Sequence, residues 1–209
     1  MKRGFLLALV AAAVAAGTAG ASSPSLLHPA SLRAKAPAVF RARFTTTKGT
    51  FVVTVHRAWA PRGADRFYNL VRAGFYNGER LFRVVRGFVV QWGISGTPKI
   101  SKAWHNATIR DDPVRHTNAK GTIVFADAGP NTRTTQLFVN LAANTNLDSS
   151  GFAPFGVVTT GFSTLRHLYS GYGETPTGEQ TQMEQQGEPF FRKHFPKLDR
   201  ILKARVLTQ

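Results

Sequence analysis

Apolar and polar residues alternate with period two along VFRARFTTT (39–47) and GTFVVTVHR (49–57), and both stretches are rich in β-branched and aromatic side chains. That is the pattern of strands with one buried face. Lys48-Gly49 between them predicts a hairpin. In APRGADRFYNLVRAGFYNG (60–78) the period lengthens: Ala64, Phe67, Leu70 and Val71 recur at helical spacing, Pro61 opens the segment and Gly74 stops it. Next comes LFRVVRGFVVQWG (81–93), two short apolar runs around Arg86-Gly87. Each run has the length of a buried strand, yet Arg83 and Gln91 sit inside them. Period-two geometry puts Val89 and Gln91 on one face of the second run.

A long loop to about Thr117 follows, then GTIVFADA (121–128), TQLFVNLA (135–142) and FAPFGVVTTG (152–161) as strands. FSTLRHLYSG (162–171) predicts a second, short helix. A polar stretch rich in Gly and Gln, GYGETPTGEQTQMEQQGEP (171–189), separates it from a final strand, ILKARVLTQ (201–209). No internal repeat is present. Many short strands with one early and one late helix point to a mainly β chain, an antiparallel barrel whose ends are plugged by helices.

The N-terminal residues stand apart from this pattern. Lys2 and Arg3 precede FLLALVAAAVAA (5–16), and Ala19-Gly20-Ala21 supplies small residues before Ser22, the layout of a cleaved secretory signal. The apolar run is short for a spanning helix. Residues 22–37, rich in Ser, Ala and Pro, predict a flexible linker. The expected organisation is a signal peptide over 1–21, a linker over 22–37 and one domain over 38–209, exported to a periplasm, cell envelope or extracellular space. The chain has no cysteine, which removes disulfides and thiol chemistry. Its 27 Lys and Arg against 11 Asp and Glu give a net charge of +16, or +14 without Lys2 and Arg3. Such a field attracts polyanions, although no dense basic run accompanies it. The six histidines show no metal-ligand spacing and no G-x-S-x-G elbow is present. Asp111-Asp112 reads as a solvated loop pair and Gly129-Pro130-Asn131 as a turn.

Three motifs in order carry a resemblance. FRVVRGFVVQWG (82–93), FADAGPNTRTTQLFV (125–139) and LDSSGFAPFGVV (147–158) are similar to the consecutive signature segments of cyclophilins, a family of peptidyl-prolyl cis-trans isomerases. The GFAPFG variant and the ending FRKHFPKLDRILKARV (191–206) resemble bacterial secreted members. The resemblance spans residues 39–207. It implies a closed, antiparallel eight-stranded barrel capped by two α-helices, a monomer, no cofactor, and proline-containing unfolded or exported polypeptides as partners.

Position by position, the resemblance makes Arg83 the catalytic residue. Phe88, Val89, Phe138 and Leu147 become the apolar pocket for a proline ring, with Phe152 at a position that usually holds His. Gln91 becomes the group that bonds the substrate backbone, and Ala126, Asp127 and Gln136 line the neighbouring groove. Several positions depart from the family pattern. Asp127 stands in place of the usual Asn, Val89 in place of Met, and Trp92 and Ile94 in place of Gly and Asp. Asn146 stands where many members carry Trp, which counts against cyclosporin binding. Two other readings remain open on these residues: a proline-peptide-binding module with little turnover, and a polyanion-binding envelope protein.

Overall fold

The computed structural model describes residues 24–207. In chain order the elements are β1 (Val39–Thr46), β2 (Gly49–His56), α1 (Pro61–Arg72), β3 (Arg83–Val84), β4 (Val89–Trp92), α2 (Pro98–Trp104), β5 (Thr122–Phe125), β6 (Leu137–Asn140), α3 (Asn146–Ser149), β7 (Gly156–Thr160), α4 (Phe162–Arg166), α5 (Gln180–Gln186), α6 (Glu188–His194) and β8 (Ile201–Leu207). The strands form one sheet in the order β3-β4-β6-β5-β7-β2-β1-β8, with every ladder antiparallel.

The alternation read in 39–57 is the β1–β2 hairpin, which pairs from Val39↔His56 down to Thr46↔Gly49. Its inward residues Phe44 and Phe51 stack at 4.9 Å. Phe67 of α1 and Trp92 of β4 meet Phe44 at 6.0 and 5.7 Å, and Phe155 meets Phe67 at 5.1 Å. All five rings are fully buried, and burying each stabilises the fold by roughly 1.5–3 kcal/mol. Trp92 takes the place of a small residue in the family pattern and points into this core, while its neighbour Gln91 faces the other side of the sheet.

The eight antiparallel strands agree with expectation, but they form a curled open sheet and not a closed barrel. β3 is only two residues long and makes no ladder with β8. The two edges meet at a single bridge, Arg80↔Arg200, flanked by bonds from Leu81 N–H to Asp199 O and from Ile201 N–H to Glu79 O. The expected pair of helices is also too few, since six α-helices lie among the described residues. Only α1 is long. It buries Ala64, Phe67, Leu70 and Val71 as its spacing predicts and ends before Gly74, whose φ of 75° suits a residue without Cβ. The late helix α4 has five residues, α2 interrupts the expected long loop, and α5 lies inside the polar Gly- and Gln-rich stretch.

The expected signal peptide lies outside the described residues. From Pro24 onward the expected flexible linker packs on the domain. Leu26 is buried and its carbonyl accepts from Trp104 Nε1 at 2.9 Å, while Ala34 and Ala36 N–H donate to Asn69 and Asp65 of α1. Ser, Ala and Pro composition carries no record of such long-range partners. Asp111-Asp112 also departs from the solvated pair expected of a loop. Asp112 is buried and accepts from the N–H groups of Arg62 and Gly63, so it caps α1 from 49 or more positions away. Both carboxylates also bond Arg133.

Candidate active site

The sheet register sets the site. Arg83 on β3 lies opposite Gln91 on β4, Gln91 opposite Phe138 on β6, and Phe138 opposite Val124 on β5. Directly paired residues project to the same face, so one row across four strands runs from a cation through an amide to two apolar side chains. The two polar residues that looked misplaced in apolar strands therefore share a face outside the main core.

At the apolar end of that row, Val124 and Phe138 join Val89 in a buried apolar cluster, separate from the main core, against which Phe88, Ala126, Leu147 and Phe152 pack. Phe138 and Phe152 meet edge to face at 5.6 Å. Every apolar residue named from the sequence for the pocket is brought together here. Val124 was missed, although its spacing of two from Ala126 was a usable signal. Asp148 holds the far wall: it accepts from Thr117 Oγ1, Asn118 N–H and Asn118 Nδ2, and Asn118 Nδ2 also donates to Phe152 O. These bonds pin α3, which carries Leu147, to the turn that carries Phe152. On the near side, Asn144 Nδ2 and Leu141 N–H both donate to Phe88 O, fixing the β3–β4 turn.

A continuous line of hydrogen bonds crosses the polar half. Arg83 Nη1 donates to Gln91 Oε1 at 2.9 Å, Gln91 Nε2 to Gln136 Oε1 at 2.9 Å, and Gln136 Nε2 to Gln180 Oε1 at 2.8 Å. The guanidinium lies 5.3 Å from the centre of the Phe88 ring, a cation–π distance. Its other edge is held by Glu174, with Nε donating to Oε2 at 2.7 Å and Nη2 to Oε1 at 2.8 Å. Glu174 and Gln180 were not foreseen. They come from the polar stretch after α4, where no local pattern marks a site residue.

Beside this line opens a groove of ≈ 400 Å³, bounded by Gln91, Ala126, Asp127 and Gln136 on the sheet side and by Trp104, Thr108 and Glu184 opposite. Gly93 shapes its floor, since a Cβ there would stand 2.4 Å from Gln136 Cα. Asp127 faces the groove with Oδ1 accepting from Gly129 N–H at 3.1 Å. Partial burial pushes its carboxyl above the ordinary value, and the charged groups that act on it are Asp111 and Arg133. Asn146 is exposed, as is the turn that follows Asp127.

The family profile described as cyclophilin type peptidyl-prolyl cis-trans isomerase/CLD matches residues 41–188. Among curated proteins, the peptidyl-prolyl cis-trans isomerase-like 1 of Gibberella zeae is 30% identical over 168 residues, covering 78% of this chain and 93% of its own. The isomerase CYP18-2 of Arabidopsis thaliana is 33% identical over 129 residues, covering 60% of this chain and 77% of its own. A crystal structure of a Cryptosporidium parvum cyclophilin type isomerase, determined in the presence of the dipeptide Ala-Pro, superposes with a TM-score of 0.60 at 17% identity, over 81% of this chain and 99% of that one; that likeness concerns the fold. The ordered motifs, the eight-stranded antiparallel sheet and the profile match agree: the chain belongs to the cyclophilin-type peptidyl-prolyl cis-trans isomerases.

Proposed function

We propose that this protein accelerates rotation about X-Pro bonds in exported polypeptides, with Arg83 as the catalytic residue. The observation that carries this reading is the cross-strand row Arg83, Gln91, Phe138, Val124, which sets a forked cation beside an apolar cluster. Rotation about a prolyl amide meets a barrier of about 18–20 kcal/mol because resonance stiffens the C–N bond. No covalent bond has to break, so a surface that fits the twisted amide better than either planar isomer is sufficient.

The apolar cluster of Phe88, Val89, Phe138, Leu147 and Phe152 receives the proline ring. Gln91 and the rim at Ala126, Asp127 and Gln136 hold the chain beside it. A guanidinium has five N–H groups, and Nε, Nη1 and Nη2 each spend one on Glu174 or Gln91. One N–H remains on each of Nη1 and Nη2. Either can donate to the prolyl nitrogen as it loses conjugation, or to the neighbouring carbonyl oxygen as charge shifts in the twisted state. Replacing Arg83 by Ala lowers kcat/KM by roughly 10²–10³, the scale of losing one preorganised donor. Arg83→Lys keeps the charge but not the fork and recovers only part of the loss. Wild-type activity in both variants would remove Arg83 from the mechanism. An intact protein that binds the peptide without turnover would make it a proline-binding module.

The role in export rests on the N-terminal charge and apolar pattern; residence of the full chain in a cell-envelope or secreted fraction is the corresponding observation to make. A second activity, attachment to polyanions, is favoured by the outer face of β1 and β8. There Arg43 pairs directly with Arg205 and Thr45 with Lys203, with Arg41 alongside, and no ion pair to any of these four basic residues is found among the described residues. Like charges in direct cross-strand register are unfavourable unless an anion offsets them. Retention on a polyanionic column should fall steeply with salt, and Arg43→Ser with Arg205→Ser should reduce it. Retention unchanged by the double substitution would rule this face out.

A further inference from the structure

The segment 171–180 borders the site and reaches into it at both ends. Glu174 grips Arg83 at one end of the hydrogen-bonded line, and Gln180 closes the other end on Gln136. Between them runs a single 3-10 turn, Thr175–Glu179, with Pro176 buried inside it.

The segment is anchored on both sides. Upstream, the Tyr172 ring packs edge-on against Tyr169 and Phe195. Downstream, Met183 is buried in an apolar cluster with Phe82, Ile94, Phe190 and Phe191. Glu174 is thus presented from a fixed frame, and Thr177 Oγ1 donates to its Oε2 at 3.2 Å. The Arg83–Glu174 pair is itself partly open to water, with the two side chains 20% and 55% exposed. Ion pairs of that exposure add little to stability. Their geometric effect is larger, because two parallel N–H···O bonds fix the plane of a guanidinium that otherwise turns about several flexible bonds.

We propose that Glu174 is a positioning residue for the isomerase reaction: its two-point grip, together with Gln91 on Nη1, sets the orientation in which the remaining Nη1 and Nη2 hydrogens face the substrate amide. Gln180 supports the same geometry from the opposite end by orienting Gln136 and, through it, Gln91. This rests on the reading of Arg83 as the catalytic group. It adds to the site a carboxylate from outside the three signature segments.

The test is a double-mutant cycle. Values of kcat and KM for an X-Pro peptide are measured for the intact protein, Glu174→Ala, Glu174→Gln, Arg83→Ala and the Arg83→Ala/Glu174→Ala pair, with thermal melts to check folding. Glu174→Ala should lower kcat roughly 10- to 100-fold, the scale of misplacing a catalytic group, while KM changes little. Glu174→Gln keeps one acceptor oxygen and should fall between the two. In the Arg83→Ala background the Glu174 substitution should cost nothing further. Full activity in Glu174→Ala, or equal losses with and without Arg83, would overturn the proposal. An inactive intact protein would instead defeat the functional reading beneath it, and that is visible before any variant is made. If Glu174→Ala fails to fold, the isosteric Glu174→Gln decides through the same cycle: a loss that disappears without Arg83 supports positioning, and no loss refutes it.

Discussion

Glu79 sits buried next to the segment that opens β3, where neither carboxyl oxygen makes a well-formed hydrogen bond and the Gly93 backbone N–H is the donor that acts on it. Burial pushes its pKa well above the ordinary carboxylate value, with the backbone N–H of Gly93 acting the other way, so above that ordinary value the native state keeps a proton that the unfolded chain has lost. The unfolded chain ionises it near its ordinary pKa of about 4.3. A group raised in this way contributes its full stability below that pH, and the contribution drains away as pH rises toward the folded value. Glu79→Gln should therefore melt at a temperature that gains on the wild type as pH rises above the ordinary carboxylate pKa of about 4.3. A difference that stays constant over this range would mean that Glu79 is ionised in the native protein. At this scale the sequence was informative where a residue contradicted its surroundings: Arg83 and Gln91 stood out in apolar strands and occupy neighbouring places in one row. Glu79 gave no such signal, because a Glu beside Arg80 on a Gly-containing turn looks like a surface pair.

Helix α1 shows which parts of an element are legible locally and which are not. Its buried stripe, its Pro61 start and its Gly74 stop follow from spacing and backbone preference alone. The satisfaction of its first N–H groups does not, because the cap comes from Asp112 on a distant loop. Asp112 and Arg133 have side chains only 0% and 4% exposed, so removing Asp112 strips the cap from α1 and leaves the buried Arg133 guanidinium with Asp111 as its remaining carboxylate partner. Asp112→Ala should cost about 3–5 kcal/mol of stability, read as a drop in the denaturation midpoint, and a loss below about 1 kcal/mol would place the pair among exposed ion pairs. The same limit explains the N-terminal segment. Composition describes what residues 24–37 lack, whereas their docking depends on Trp104, Asn69 and Asp65, which only the fold brings near.

For the molecule as a whole, period-two and helical spacing sufficed for a mainly antiparallel β chain with an early helix. Three ordered motifs pointed to the family, and the pocket residues they designated converge in one cluster. Closure of the barrel was not legible, because it depends on how far the sheet curls and on a two-residue β3 that cannot build a ladder with β8. The segment carrying Glu174 and Gln180 was equally silent, since a Gly- and Gln-rich sequence gives no period from which to infer where it docks. At the site itself, the cluster beside Arg83 is proposed to receive proline and Arg83 to lower the barrier to rotation. Magnetization-transfer NMR on a short X-Pro peptide tests it most directly, by comparing cis/trans exchange in the presence of the intact protein and of its Arg83→Ala variant. Exchange should be far faster than the uncatalysed process of roughly 10–100 s and collapse toward that rate in the variant; exchange left at the uncatalysed rate by the intact protein, or equally fast in both, would rule Arg83 catalysis out.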